Sequence, residues 1–149
     1  ASKMLGAPVA YELSITNVDK PPLGEDDIRD RVSQFAGLGT VFVTDAHVFS
    51  EKAKLFPGGV LILGVDTLSR LVDPHYYWGD EARMLLALSE IQAAGCRFLV
   101  AGRIEGGVFH SPDDVPIPTG LEEMVTSIPE TAFRRDVSST GRRAGGGRS

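Results

Sequence analysis

From Val9 onward, short apolar and β-branched runs alternate with longer segments whose apolar residues recur at every third or fourth position. The runs "VAYELSIT" (9–16), "TVFVT" (40–44), "VLILGV" (60–65) and "CRFLVAG" (96–102) each predict a strand. Asn17 to Pro22 ends the first, because its two prolines forbid continuation. "EDDIRDRVSQFAG" (25–37) places Ile28, Val32 and Phe35 on one helical face. Its opening acids Glu25, Asp26 and Asp27 suit the positive end of the helix dipole, and Gly37 suits the stop. Ser50 is expected to cap a short helix, "EKAKLF", which Pro57-Gly58-Gly59 ends. Thr67 to Val72 reads as another short helix, closed by Asp73-Pro74. Asp80 caps the longest, "EARMLLALSEIQAAG", with Met84, Leu85, Leu88 and Ile91 on one stripe and Gly95 just past its end.

Beyond residue 102 the pattern weakens. Glu105-Gly106-Gly107 predicts a turn, and Pro112, Pro116 and Pro118 bound irregular chain. Thr119-Gly120-Leu121-Glu122 has capping-box spacing and predicts a short helix after it. Strands alternating with helices predict an α/β fold with a mostly parallel sheet, since parallel neighbours need helix-length crossovers. Residues 1–143 are expected to form a single domain, followed by a flexible Gly-rich tail at 144–149.

Composition narrows the function classes. The 149 residues carry a net charge of −5, so no global basic field points to nucleic acid or an anionic membrane. No apolar run reaches the roughly 18 residues of a membrane span. One cysteine, Cys96, excludes an intrachain disulfide, and a cytoplasmic setting is expected. Ala1 in place of Met suggests a trimmed or excerpted chain.

Candidate chemistry gathers at three places. Gly64, Asp66 and Thr67 close the third strand, where open α/β sheets keep their ligands. A glycine there allows close approach or positive φ, and Asp66 can accept from ribose hydroxyls; equally, Asp66 or Thr67 can cap the next helix. Tyr76, Tyr77 and Trp78 follow Pro74 and can stack on a base or pyridine ring, or pack the loop on the sheet. In "RRDVSSTGRR" (134–143), Ser138, Ser139 and Thr140 offer hydroxyls and a helix start, while Arg142 and Arg143 can pair with phosphate. As composition alone the same segment reads as a solvated tail. His47, His75 and His110 show no metal-ligand spacing.

Gly64-Val65-Asp66, Pro74 with Tyr77, and Val137-Ser138-Ser139-Thr140-Gly141-Arg142-Arg143 together resemble the nicotinamide-nucleotide adenylyltransferases of the nucleotidylyltransferase superfamily. "YELSITNVDKPPL" and "FSEKAKLFPGG" look like its cytidylyltransferase-like branch, so the resemblance spans roughly residues 9 to 143. It implies a doubly wound, Rossmann-like sheet and adenylyl transfer from ATP to a nicotinamide mononucleotide-type substrate in NAD biosynthesis, with magnesium carried by the ATP. It further implies that Gly64 and Asp66 contact adenosine, Tyr77 stacks on the pyridine ring, and Ser139, Thr140 and Arg143 hold the phosphates. Thr140 and Arg143 would stabilise the reacting phosphates.

The family's G-x-F-x-P-x-H-x-G-H and the strand before it do not occur in this sequence. That strand would come first in the chain and sit in the middle of the sheet, so the chain is expected to be an excerpt, to have the gap filled by another element, a second copy or another chain, or to be a degenerate relative. Three functions remain open: adenylyl transfer, a non-catalytic nucleotide-binding or interaction module, and a pantetheine-phosphate or cytidylyl transferase.

Overall fold

A computed structural model describes residues 1–16 and 19–132 of the chain. Those residues form two compact units, Ala1–Phe56 and the chain from Pro57 onward. Their sheets are mostly parallel, and the fold is mixed α/β.

In the first unit a short helix α1 (Ser2–Leu5) ends on Gly6, whose left-handed backbone lets its N–H reach the Ser2 carbonyl. Strand β1 (Tyr11–Ser14) runs parallel to β2 (Val41–Thr44), with Tyr11 opposite Val41 and Ser14 opposite Thr44. Helix α2 (Glu25–Ser33) makes the crossover between them. It stops four residues short of Gly37, and hydrogen bonds between residues three apart carry the chain round to Leu38. The tighter turns bring the Phe35 ring to 4.8 Å from that of Tyr11. Helix α3 (Phe49–Leu55) begins with Val48 at its cap, so Ser50 lies inside the first turn rather than capping it. No side chain caps this helix; the Glu51 carboxylate in its first turn reaches back to accept from the His47 N–H at 3.1 Å, one residue before the cap. Lys52 of α3 pairs with Glu12 of β1 at 2.6 Å, both little exposed, and the Thr44 hydroxyl also donates to Glu12.

The second unit holds the larger sheet, in the order β3 (Val60–Gly64), β4 (Arg97–Ala101), β7 (Val125–Ile128), all parallel. The central strand carries the core: Phe98, Leu99 and Val100 are each at most 2% exposed. Helix α4 (Val65–Leu71) leaves β3 directly, a single 3-10 turn follows at Pro74–Tyr77, and α5 (Glu81–Ala93) returns to β4. Asp80 caps α5 as expected, accepting from the Arg83 N–H at 3.1 Å. Met84, Leu88 and Ile91 are buried, but Leu85 is 37% exposed. One residue on from Met84 is about 100° round the helix, which takes Leu85 off the stripe.

After β4 come two elements that local pattern did not reveal. Strands β5 (Arg103–Glu105) and β6 (Val108–His110) form an antiparallel hairpin across Gly106-Gly107, both at positive φ, as a tight two-residue turn needs. The expected helix after Thr119 is only the 3-10 turn Glu122–Met124, with Glu122 accepting from the Gly120 N–H, and β7 follows at once. Val125, Thr126 and Ile128 are β-branched and find the second edge of β4, a partner 27 residues away in sequence. Leu121 and Met124 are buried beside it.

Gly102 joins the sheet to the hairpin under the Phe109 ring. A Cβ there would lie 2.2 Å from the ring and 2.8 Å from the His110 carbonyl oxygen. Gly102→Ala should therefore lower stability by about 1–3 kcal/mol, as overpacking does. Urea unfolding followed by circular dichroism measures it; an unchanged midpoint would mean the hairpin shifts freely.

Candidate functional site

Both ends of the β3–β4–β7 sheet can be told apart by what closes them. At the amino end, the carbonyl of Ala94, just past α5, accepts from the Gly58 N–H at 2.8 Å, and Cys96 bonds back to Ile91. Helix α5 is about 20 Å long, as long as or longer than the strands beneath it, so its beginning lies at their carboxyl ends. Topology thus brings three features to one edge: the Gly64–Asp66 junction, the start of the hairpin at Arg103, and the loop Pro74–Asp80.

At the junction, Gly64 is exposed with φ −88°, so its lack of a side chain is not needed for positive φ. A Cβ at Gly64 would meet nothing within 4 Å among the described residues, which leave open space over the strand end. Helix α4 begins at Val65, two residues earlier than the pattern predicts, with Gly64 at its cap. Asp66 and Thr67 therefore sit inside the first turn, and neither side chain caps it. The Asp66 carboxylate favours the positive helix end by position and is 55% exposed. Its Oδ2 accepts from Arg103 Nη1 at 2.5 Å, and Arg103 Nη2 also donates to Glu105 at 3.4 Å. The hydrogen bond to Asp66, and then the charges of Asp66 and Glu105, push the Arg103 guanidinium further up from its already high value. Arg103 and Glu105 were not singled out in the sequence. The available signal is positional: Gly102-Arg103 follows the apolar run of β4 as Gly64-Val65-Asp66 follows that of β3.

The aromatic loop separates its three rings. Tyr77 is half-buried and its hydroxyl donates to the Leu71 carbonyl at 3.0 Å, which ties the side chain to the end of α4. Tyr76 is exposed, flanked by His75 at 5.5 Å and by the Arg70 guanidinium at 5.9 Å. Trp78 is 85% exposed, and among the described residues it alone combines a side chain with positive φ, at 59°. The Pro74 carbonyl fixes that turn by accepting from the Gly79 N–H at 2.9 Å. Arg83, held by Asp80 at 3.2 Å, places its guanidinium 5.4 Å from the indole centre. The freely presented ring is thus Trp78, while Tyr77 offers only part of its surface.

Ser138, Ser139, Thr140, Arg142 and Arg143 lie outside the described residues. Among the described residues no group of three or more histidines, cysteines and carboxylates could hold a metal ion. Asp66 and Glu105 both face a guanidinium, a donor set that does not fit a protein-held magnesium ion. Among the same residues no helix is long and apolar enough to cross a membrane. No family model, curated protein or solved structure matches the chain.

Burial pushes the Tyr77 phenol up from its ordinary value. The folded state then keeps a proton that the unfolded chain loses near pH 10, so stability falls as pH rises past that point. Tyr77→Phe should remove this alkaline loss. Subtracting its ultraviolet titration from that of the wild type should show a phenolate midpoint above about 10; a midpoint at or below that value would contradict the burial argument.

Proposed function

We propose that the carboxyl edge of β3 and β4 is a nucleotide site within a doubly wound, nucleotidylyltransferase-like domain. The activity proposed for it is adenylyl transfer from ATP to a nicotinamide mononucleotide-type acceptor. The observation that carries this reading is the side-by-side placement of the Asp66 carboxylate and the Arg103 guanidinium beyond adjacent parallel strands. A carboxylate accepts ribose hydroxyls and a guanidinium pairs with phosphate, so the two match a ribonucleotide. Open space over Gly64 and the exposed Trp78 indole on the same edge support it, the latter as a surface for a flat ring.

In such a transfer the acceptor's phosphate oxygen bonds to the α-phosphorus of ATP while the bond to the pyrophosphate oxygen breaks, and pyrophosphate leaves. Little covalent chemistry falls to the protein, whose work is positioning and charge neutralisation. Asp66 would orient the ribose, Thr67 would line the edge beside it, and Ser138, Ser139, Thr140 and Arg143 are proposed for the phosphates. Magnesium would arrive on the nucleotide and shield its phosphate charge.

A second reading is a binding module without turnover. The observation that favours it is the same Asp66–Arg103 pair, because a carboxylate and a guanidinium can hold a nucleotide without any chemistry at its phosphates.

Asp66→Ala should weaken ATP and AMP binding about 10–100-fold, the worth of roughly 1.5–3 kcal/mol for a charged hydrogen-bond acceptor. Calorimetry checks it, and equal affinities would remove Asp66 from the site. Trp78→Ala should cost about 1–3 kcal/mol of base stacking while leaving the urea midpoint unchanged. If affinity holds in that variant, the indole serves another surface. A coupled assay for NAD from ATP and nicotinamide mononucleotide with magnesium separates the two readings: turnover supports the transferase, and nucleotide binding without turnover supports the module.

A further inference from the structure

Taking the β3–β4 edge as the nucleotide site proposed above, we infer that Arg103 is its specificity-determining residue and selects 5′-phosphorylated ribonucleosides over free nucleosides. Arg103 is 51% exposed, so its planar head can reach a ligand without displacing core. Of its five N–H groups, Asp66 takes one at 2.5 Å and Glu105 takes one at a long 3.4 Å. The remaining donors lie in the same plane, and paired donors of that kind bind two oxygens of one phosphate at once.

The partner carboxylate is suited to sharing. Arg103 binds Asp66 through Oδ2, so, among the described residues, Oδ1 is left to accept from a ribose hydroxyl. One ligand can then satisfy both halves of the pair, hydroxyls on Asp66 and phosphate on Arg103, without breaking the bond between them. The two carboxylates also temper the attraction of the guanidinium for anions. Asp66 and Glu105 together outweigh its single charge, so a bare anion meets a locally negative edge. A phosphate that arrives with hydroxyls for Asp66 is favoured over one that does not. An arginine serving only as a strut for the β5–β6 hairpin would show no such selectivity.

Adenosine and AMP are the probes, titrated calorimetrically into the full chain and into the Arg103→Ala and Arg103→Lys variants. Circular dichroism confirms that each variant is folded. The wild type should bind AMP about 10–100-fold more tightly than adenosine. In Arg103→Ala that ratio should collapse towards one through loss of AMP affinity alone, and Arg103→Lys should restore part of it as a point charge. Inorganic phosphate by itself should bind weakly to all three proteins. A ratio unchanged in Arg103→Ala, or equal losses for both probes, would make Arg103 a support for Asp66 and overturn the inference while leaving the nucleotide site standing. Failure of the wild type to bind either probe would overturn both.

Discussion

Parallel strands cannot be joined by a tight turn, and most of this molecule's arrangement follows from that constraint. Chain leaving the carboxyl end of β3 must return to the amino end of β4, and α5, about 20 Å long, makes the return. The same return puts every strand end of one kind on one edge. Beyond the ends of β3 and β4, the Asp66 and Arg103 side chains are about half exposed to solvent. Asp66, Arg103 and the loop before Asp80 come from distant parts of the chain, yet crossover geometry delivers them to the same edge. The buried strand β4, with Phe98, Leu99 and Val100, is what holds the edge in register.

Charge at that edge is arranged around one guanidinium. Arg103 stands between Asp66 and Glu105 at half exposure, where water screens an ion pair strongly. Such a pair contributes little to folding. Its interest lies in being rearranged at low cost, since neither partner is buried and no desolvated charge is left behind when a ligand joins it. The contrast with Glu12 and Lys52 in the first unit is instructive. That pair is less exposed, is joined by the Thr44 hydroxyl, and links a helix to a strand.

Trp78 shows a related logic in the backbone. A left-handed conformation costs a residue with a side chain about 1–2 kcal/mol, and an indole left 85% exposed gains little from burial in return. The turn is imposed from outside by Pro74, Gly79 and the Asp80 cap of α5. Tyr77 closes the inner side through its bond to Leu71, so the loop is anchored by one aromatic residue and presents the next.

Periodicity in the sequence was enough to locate β1 to β4, α5 and the apolar face of Met84, Leu88 and Ile91, because those elements are specified by neighbours one to four residues away. It also placed Asp80 at a cap, Gly106-Gly107 in a turn, and Gly64 and Asp66 at a strand end, each a consequence of local backbone chemistry. Only the tertiary structure decided that Val125–Ile128 is a strand, since its reason is the open second edge of β4 and not its own pattern. Likewise, no local rule distinguishes Asp66 as a cap from Asp66 as the partner of Arg103, 37 residues away. Nor does any local rule tell a half-buried Tyr77 from an exposed Trp78. Short-range preferences act through the backbone and can be read in order along the chain. Ion pairs, strand partners and the exposure of adjacent rings depend on which distant residues fold back beside them, and folding alone brings those together.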